Sequence, residues 1–186
     1  MFEIRLHGRG GQGVVTAAEL LSVAAFDEGK HAQAFPSFGS ERMGAPVVSF
    51  CRIDDQSIRL REPIQEPDAV IIQDATLLHS LDVFSGLKPE GYILINSSRS
   101  FEELGIAEFV SRFPQGHVCD VGATELAMKH VGRPVPNAAL LGGFAAVTKL
   151  LAFESVAKAI REKFPGPVGD ANVAAAREAY ETALSD

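Results

Sequence analysis

The chain has 186 residues, 46% hydrophobic and 22% charged, enough to bury one sizeable core, and we read it as a single domain over residues 1–186. A formal net charge of −7 and an isoelectric point near 5.2 argue against general affinity for nucleic acid or anionic membrane, so any anion contact must be focused in a local pocket. No stretch approaches the roughly 20 apolar residues needed to span a bilayer, and no basic-then-apolar leader opens the sequence, so a cytoplasmic location is expected.

A strand over residues 2–7 runs straight into Gly8-Arg9-Gly10-Gly11-Gln12-Gly13, and a helical pattern over 14–28 follows without a spacer. Glycines let a backbone turn tightly and approach a ligand closely, and a helix start behind them offers unpaired N–H groups and a partial positive charge. The loop is therefore a place to hold phosphate, with Arg9 adding a cation and Gln12 an amide. The alternative is that these glycines only let the first helix lie close to the sheet. A nicotinamide site would want an acid at the end of the second strand, about 20 residues on, where Gln33, Ala34 and Phe35 stand instead. Val14 and Val15 follow the last glycine where a P-loop needs Lys-Ser or Lys-Thr.

A short strand at 31–35 ends at Pro36, and 36–45 forms a long Gly-, Ser- and Pro-containing connection, the second place to look for chemistry. Segments 46–53 and 57–61 flank Asp54-Asp55-Gln56 and predict a hairpin. Residues 69–73 form a near-continuous apolar run, as in a strand buried on both faces, followed by a helix over 76–84. Strands at 91–96 and 117–121 enclose a helix over 101–113. Helices then follow from 124: one over 138–151 capped by Asn137, one over 153–164, and a last one starting near Asp170 after Pro165-Gly166-Pro167. The expected fold is α/β: a doubly wound, mostly parallel sheet with an antiparallel hairpin and a helical C-terminal third.

With both loops in view, the chain resembles the gamma subunit of pyruvate/2-oxoacid:ferredoxin (flavodoxin) oxidoreductases. The matching residues are the glycine motif, then 39–47 (Gly-Ser-Glu-Arg-Met-Gly-Ala-Pro-Val) ahead of a strand ending Cys51-Arg52-Ile53, and Pro136-Asn137 leading into Leu140-Leu141-Gly142. The resemblance implies a complex that decarboxylates a 2-oxoacid with coenzyme A, yielding acyl-CoA and passing electrons to ferredoxin. It assigns thiamine diphosphate, magnesium and iron–sulfur clusters to partner alpha, beta and ferredoxin-like delta subunits, with ferredoxin as acceptor, and leaves this chain no metal and no catalytic residue. Two cysteines without a Cys-x-x-Cys pair agree, as does the lack of a thiamine-type Gly-Asp-Gly: Gly169-Asp170-Ala171 leaves too few residues after it.

The same resemblance assigns cofactor contacts to Gly8, Arg9, Gly10, Gly11, Gln12 and Gly13 and to Ser40, Glu41, Arg42, Met43 and Gly44, together one wall of a coenzyme A site. Arg42-Met43-Gly44 departs from the Arg-Arg-Gly or Arg-Gly-Gly of many members and leans toward the pyruvate branch, with 2-oxoisovalerate and 2-oxoglutarate members as alternatives. A different class of answer is a stand-alone dinucleotide or acyl-CoA binding module.

The remaining residues each carry two readings. Asp74, at a strand end, either touches a ligand or caps the following turn with Thr76. Asn96, Ser97 and Ser98 either line the same crevice or form a solvated turn, and His7 either titrates near a phosphate or sits satisfied against the sheet. Cys51 and Cys119 are expected as buried free thiols. His31, His79, His117 and His130 lack ligand spacing, and no Gly-x-Ser-x-Gly elbow is present.

Overall fold

The structure, a computed structural model, describes residues 1–37 and 42–186. Strand β1 (Phe2–Arg9) leads into α1 (Val14–Asp27) and β2 (His31–Pro36), and β3 (Pro46–Asp54) returns alongside. Then come β4 (Ala69–Ile72), a 3-10 turn (Ala75–His79), β5 (Tyr92–Asn96), α2 (Phe101–Leu104), α3 (Ala107–Val110) and β6 (Val118–Val121). The chain closes with α4 (Ala123–His130), α5 (Asn137–Thr148), α6 (Phe153–Lys163) and α7 (Pro167–Ser185).

Six strands form one sheet in the order β2-β3-β1-β4-β5-β6. β1, β4, β5 and β6 are parallel neighbours, and β3 runs antiparallel to both β1 and β2. The expected α/β class, mostly parallel with an antiparallel excursion, is what the chain adopts.

Alternation along β1 sorts the two faces. Ile4 and Leu6 are fully buried under α1 in a core shared with α5, α6 and α7. Val70, Ile72, Ile93 and Ile95 point the other way and are covered by the 3-10 turn, α2 and α3. On β1 and β3 that second face is polar: Arg5, His7 and Arg52 are all buried there.

That polar face explains the hairpin that does not form. Both edges of β3 are taken, by β1 and by β2, so 57–61 has no edge to pair with. The segment 57–64 instead lies over the polar face, its carbonyls accepting hydrogen bonds. Gln33 Nε2 donates to Leu60 O (2.9 Å), Arg52 Nη2 to Glu62 O (2.6 Å) and Arg5 Nη1 to Ile64 O (3.5 Å).

Four helices also differ from the sequence pattern. The helix expected over 76–84 is instead a 3-10 turn that stops at His79, and in the chain beyond it the carbonyls of Val83 and Ser85 accept from Arg5 Nη2 (3.0 and 2.6 Å). The span 101–113 is two short helices: Ser100 and Glu103 form a capping box at the start of α2, and Gly105, at φ 77°, ends it. The last helix begins at Pro167, not Asp170, since a proline at the first helical position loses no intrahelical bond. Asn137 is the first residue of α5 rather than its cap, and the helix ends at Thr148 before Lys149 at φ 54°. No helix among the described residues is long and apolar enough to cross a membrane.

Candidate functional site

β1, β4 and β5 all end at one edge of the sheet, where open α/β sheets place ligands. The glycine loop stands there because β1 has to turn at once into α1. Gly11 (φ 92°) and Gly13 (φ 73°) occupy the left-handed region that other residues avoid. Asn137 lies over Gly13 with Nδ2 3.5 Å from its carbonyl, which is how the third sequence motif reaches the first.

The second loop is sewn to the first through Gly10. Gly10 N donates to Ala45 O (2.9 Å), Gly44 N donates to Gly10 O (3.1 Å), and Gly10 bridges Met43 in parallel fashion. A side chain at position 10 would run into the Arg42 carbonyl. Arg42 and Met43 are thus brought beside Gly10 and Gly11, and both are exposed, Met43 at 86%. Ser40 and Glu41 lie outside the described residues.

Within the glycine loop much of the polar capacity is internal. Gln12 Oε1 accepts from Arg9 N (2.8 Å), Gln12 Nε2 donates to Asp74 Oδ2 (2.8 Å), and Gln73 Nε2 donates to Gln12 O (2.8 Å). Arg9 reaches three groups: Nε stands 3.3 Å from Asp74 Oδ2, Nη2 donates to Thr76 Oγ1 (3.0 Å), and Nη1 donates to Gly44 O (3.0 Å). The start of α1 has no side-chain cap, leaving its first amides facing this edge.

Asp74 both caps and connects. Its Oδ1 accepts from Thr76 N (3.0 Å) and Thr76 Oγ1 (2.6 Å), the cap read from sequence. Burial opposes its charge, but hydrogen bonds from Thr76 and Gln12, with Arg9 alongside, outweigh that and hold its carboxyl below the usual range. A cleft of about 330 Å³ opens between the ends of β4 and β5, lined by Gln12, Gln73, Asp74, Thr76, Asn96 and Arg99 among others.

Asn96 is committed to structure. Its Oδ1 accepts from Ala123 N (2.9 Å) and Thr124 N (3.2 Å), capping α4 from a distance, while Nδ2 donates to Gln73 O (2.9 Å) and Thr124 Oγ1 (2.8 Å). Ser97 Oγ accepts from Arg99 N (2.9 Å) in a turn, and Ser98 pairs with Glu125. His7 faces the polar layer, where Arg5 Nε donates to its Nε2 (3.0 Å). Burial first, and the Arg5 charge second, push its pKa down to about 3. Cys51 and Cys119 are buried free thiols, pushed up to about 12 chiefly by burial, and so are poor nucleophiles at neutral pH.

Gln73 and the arginine contacts of Asp74 escaped the sequence reading. The only signal for Gln73 is a polar residue closing an otherwise apolar strand, and it is 1% exposed. Among the described residues no three His, Cys, Asp or Glu side chains converge as a metal site would require.

Fold and loops together define an open, doubly wound α/β protein whose sheet edge carries a glycine turn stitched to a second loop. The profile of the family described as "Pyruvate ferredoxin/flavodoxin oxidoreductase" matches residues 3–182. Pyruvate synthase subunit PorC of Methanothermobacter marburgensis is 50% identical over 181 residues, covering 97% of each chain. The pyruvate/ketoisovalerate oxidoreductases common subunit gamma of Pyrococcus furiosus is 49% identical, covering 97% of this chain and 96% of its own. The crystal structure of pyruvate oxidoreductase subunit PORC from Thermotoga maritima superposes with a TM-score of 0.80 at 38% identity, over 97% of this chain and 95% of that one. The chain belongs to the pyruvate ferredoxin/flavodoxin oxidoreductase family and is a gamma-type subunit of a 2-oxoacid:ferredoxin oxidoreductase.

Proposed function

We propose that this chain is the gamma subunit of a pyruvate synthase and that its two stitched loops form one wall of the coenzyme A site. In that reaction pyruvate and coenzyme A give acetyl-CoA and carbon dioxide, and two electrons pass to ferredoxin. Thiamine diphosphate with magnesium, and the iron–sulfur clusters, belong on the alpha, beta and ferredoxin-like delta partners. The isolated chain, having no group that reacts with the oxoacid, is inactive, and the complex works in the cytoplasm.

The observation that carries this reading is the union of the two loops through Gly10, which sets an uncapped helix start and Arg42 at one edge. Coenzyme A presents a pyrophosphate and a 3′-phosphate, and backbone N–H groups with an arginine are suited to both. Contact residues in this reading are Gly8, Gly10, Gly11 and Gly13 with Ser40, Glu41, Arg42, Met43 and Gly44, while Arg9 and Gln12 stand beside them with their side chains engaged within the chain. The oxoacid is chosen on partner chains. That a relative's name makes one gamma subunit common to pyruvate and ketoisovalerate oxidoreductases supports this, and keeps 2-oxoisovalerate as a second substrate.

Arg42→Ala in the purified complex tests the reading, with coenzyme A titrated against pyruvate, 2-oxoisovalerate and 2-oxoglutarate and a viologen as acceptor. Losing a charged hydrogen bond worth about 1.5–3 kcal/mol raises KM for coenzyme A by roughly 10- to 150-fold. KM for the oxoacid stays put. An unchanged coenzyme A KM removes the loop from the cofactor.

A further inference from the structure

The Arg9 guanidinium, which sequence alone offers as a phosphate partner, has each of its nitrogens committed inside the chain: Nε and Nη2 donate to Thr76 Oγ1 (3.3 and 3.0 Å), Asp74 Oδ2 pairs with Nε at 3.3 Å, and Nη1 donates to the Gly44 carbonyl. Gln12, the other polar side chain of the loop, is held by the same Asp74 oxygen at 2.8 Å. Asp74 is itself placed by the sheet. It follows β4, whose parallel register with β1 sets Ile72 beside His7, and Gln73 N donates to His7 O (2.7 Å). The end of β4 therefore governs both loops: one carboxylate fixes Gln12 and Arg9, and Arg9 reaches across to the backbone next to Arg42 and Met43.

We propose that Asp74 is a positioning residue, which through Arg9 clasps the 42–45 segment to the glycine loop, so that Arg9 orders the site and Arg42 is the arginine left to meet the ligand. Reading that ligand as coenzyme A rests on the function proposed above; the clasp itself does not. The competing role for Asp74 is a plain cap of the turn at 75–79. The two separate chemically. Asparagine caps a helical turn about as well as aspartate, yet it carries no charge for Arg9 and divides its two terminal atoms between one acceptor and one donor.

Asp74→Asn and Arg9→Lys, alone and together, are made in the whole complex and followed by amide exchange at Gly10, Gly44 and Ala45 and by steady-state kinetics. Lysine keeps the charge but lacks the fork that spans three partners. Each single variant is expected to speed exchange at these amides and to raise KM for coenzyme A on the order of tenfold, as misplaced positioning groups do, with kcat at saturating coenzyme A and KM for pyruvate unchanged. The double variant is no worse than either single, because the two residues act as one clasp. Wild-type exchange rates in Asp74→Asn, or effects that add in the double variant, overturn the proposal. If exchange speeds up while Arg42→Ala leaves the coenzyme A KM unchanged, the clasp stands and the coenzyme A reading falls. If Arg42→Ala raises that KM while Asp74→Asn alters neither readout, the clasp falls and the coenzyme A reading stands.

Discussion

Gly142→Ala is expected to destabilise the helical layer strongly, although alanine is intrinsically the better helix former by about 1 kcal/mol. A Cβ at position 142 of α5 would collide with the Ala176 carbonyl, and would lie 2.6 Å from its carbon and 2.9 Å from its Cα. Those atoms are backbone of α7, so the two helices must part. Overpacking of this kind costs about 1–3 kcal/mol or more, and here it spreads through the core built on Leu140, Leu141, Phe144 and Ala176. We expect a net loss of at least about 2 kcal/mol, seen as a fall of roughly 4–8 °C in the subunit's thermal midpoint. Gly143→Ala is the control. A Cβ there meets only side-chain ends, Val121 Cγ2 at 3.1 Å and Leu94 Cδ1 at 3.3 Å, which can yield. Equal losses from the two variants would mean that close helix approach is not what position 142 supplies.

The contrast between these neighbouring glycines shows what kind of information the sequence holds. Position 142 belongs to a motif visible in the chain, but its constraint is a carbonyl on another helix. β1, α1 and β4 were legible because their signals are local: an apolar alternation, a 3.6-residue period closed by Gly29, and an apolar run buried on both faces. The segment 57–61 has a pattern that suits a strand, but the edge it would need is already occupied. Likewise 76–84 has a helical pattern, but the turn ends at His79 and the chain beyond it gives the carbonyls of Val83 and Ser85 to buried Arg5, a partner on a distant strand.

The candidate site divides the same way. Glycines in a strand-to-helix turn announce themselves, and the second loop was found by its own motif. Their joining at Gly10 was not predictable from spacing, because it follows from β3 entering the sheet beside β1, with Pro46 opposite Arg9. The role of Arg9 was the least legible. Its partners Asp74 and Thr76 lie across the sheet edge, the latter 67 residues away in sequence, and a cation beside a glycine loop reads equally as ligand or as clasp until those partners are in place.

The polar layer under 57–64 gives the second large effect, a loss of stability on mild acidification that traces to His7. The ring is 6% exposed, its Nε2 takes a hydrogen bond from Arg5 Nε at 3.0 Å, and no described group meets Nδ1. Protonating it would bury a second cation against the first, so the folded pKa falls to about 3, whereas the unfolded chain titrates near 6.5. The unfolded state therefore binds the proton first. Stability is at its full value above pH 6.5 and drops as pH falls from there toward 3, by up to about 1.4 kcal/mol per unit, or roughly 3 kcal/mol by pH 4. Asp74, Glu103 and Glu178, whose carboxyls are held low by their partners, lose stability in the same direction, but only in the range where carboxylates titrate. His7→Gln isolates the histidine: glutamine accepts from Arg5 and has no proton to gain. Urea unfolding at pH 7, 5.5 and 4.5 should show the wild-type chain losing stability relative to the variant at each step, so that a variant weaker at pH 7 approaches or overtakes it at pH 4.5. Parallel profiles would mean that the buried ring takes up its proton as readily in the folded chain as in the unfolded one, and that the Arg5–His7 layer does not keep it neutral.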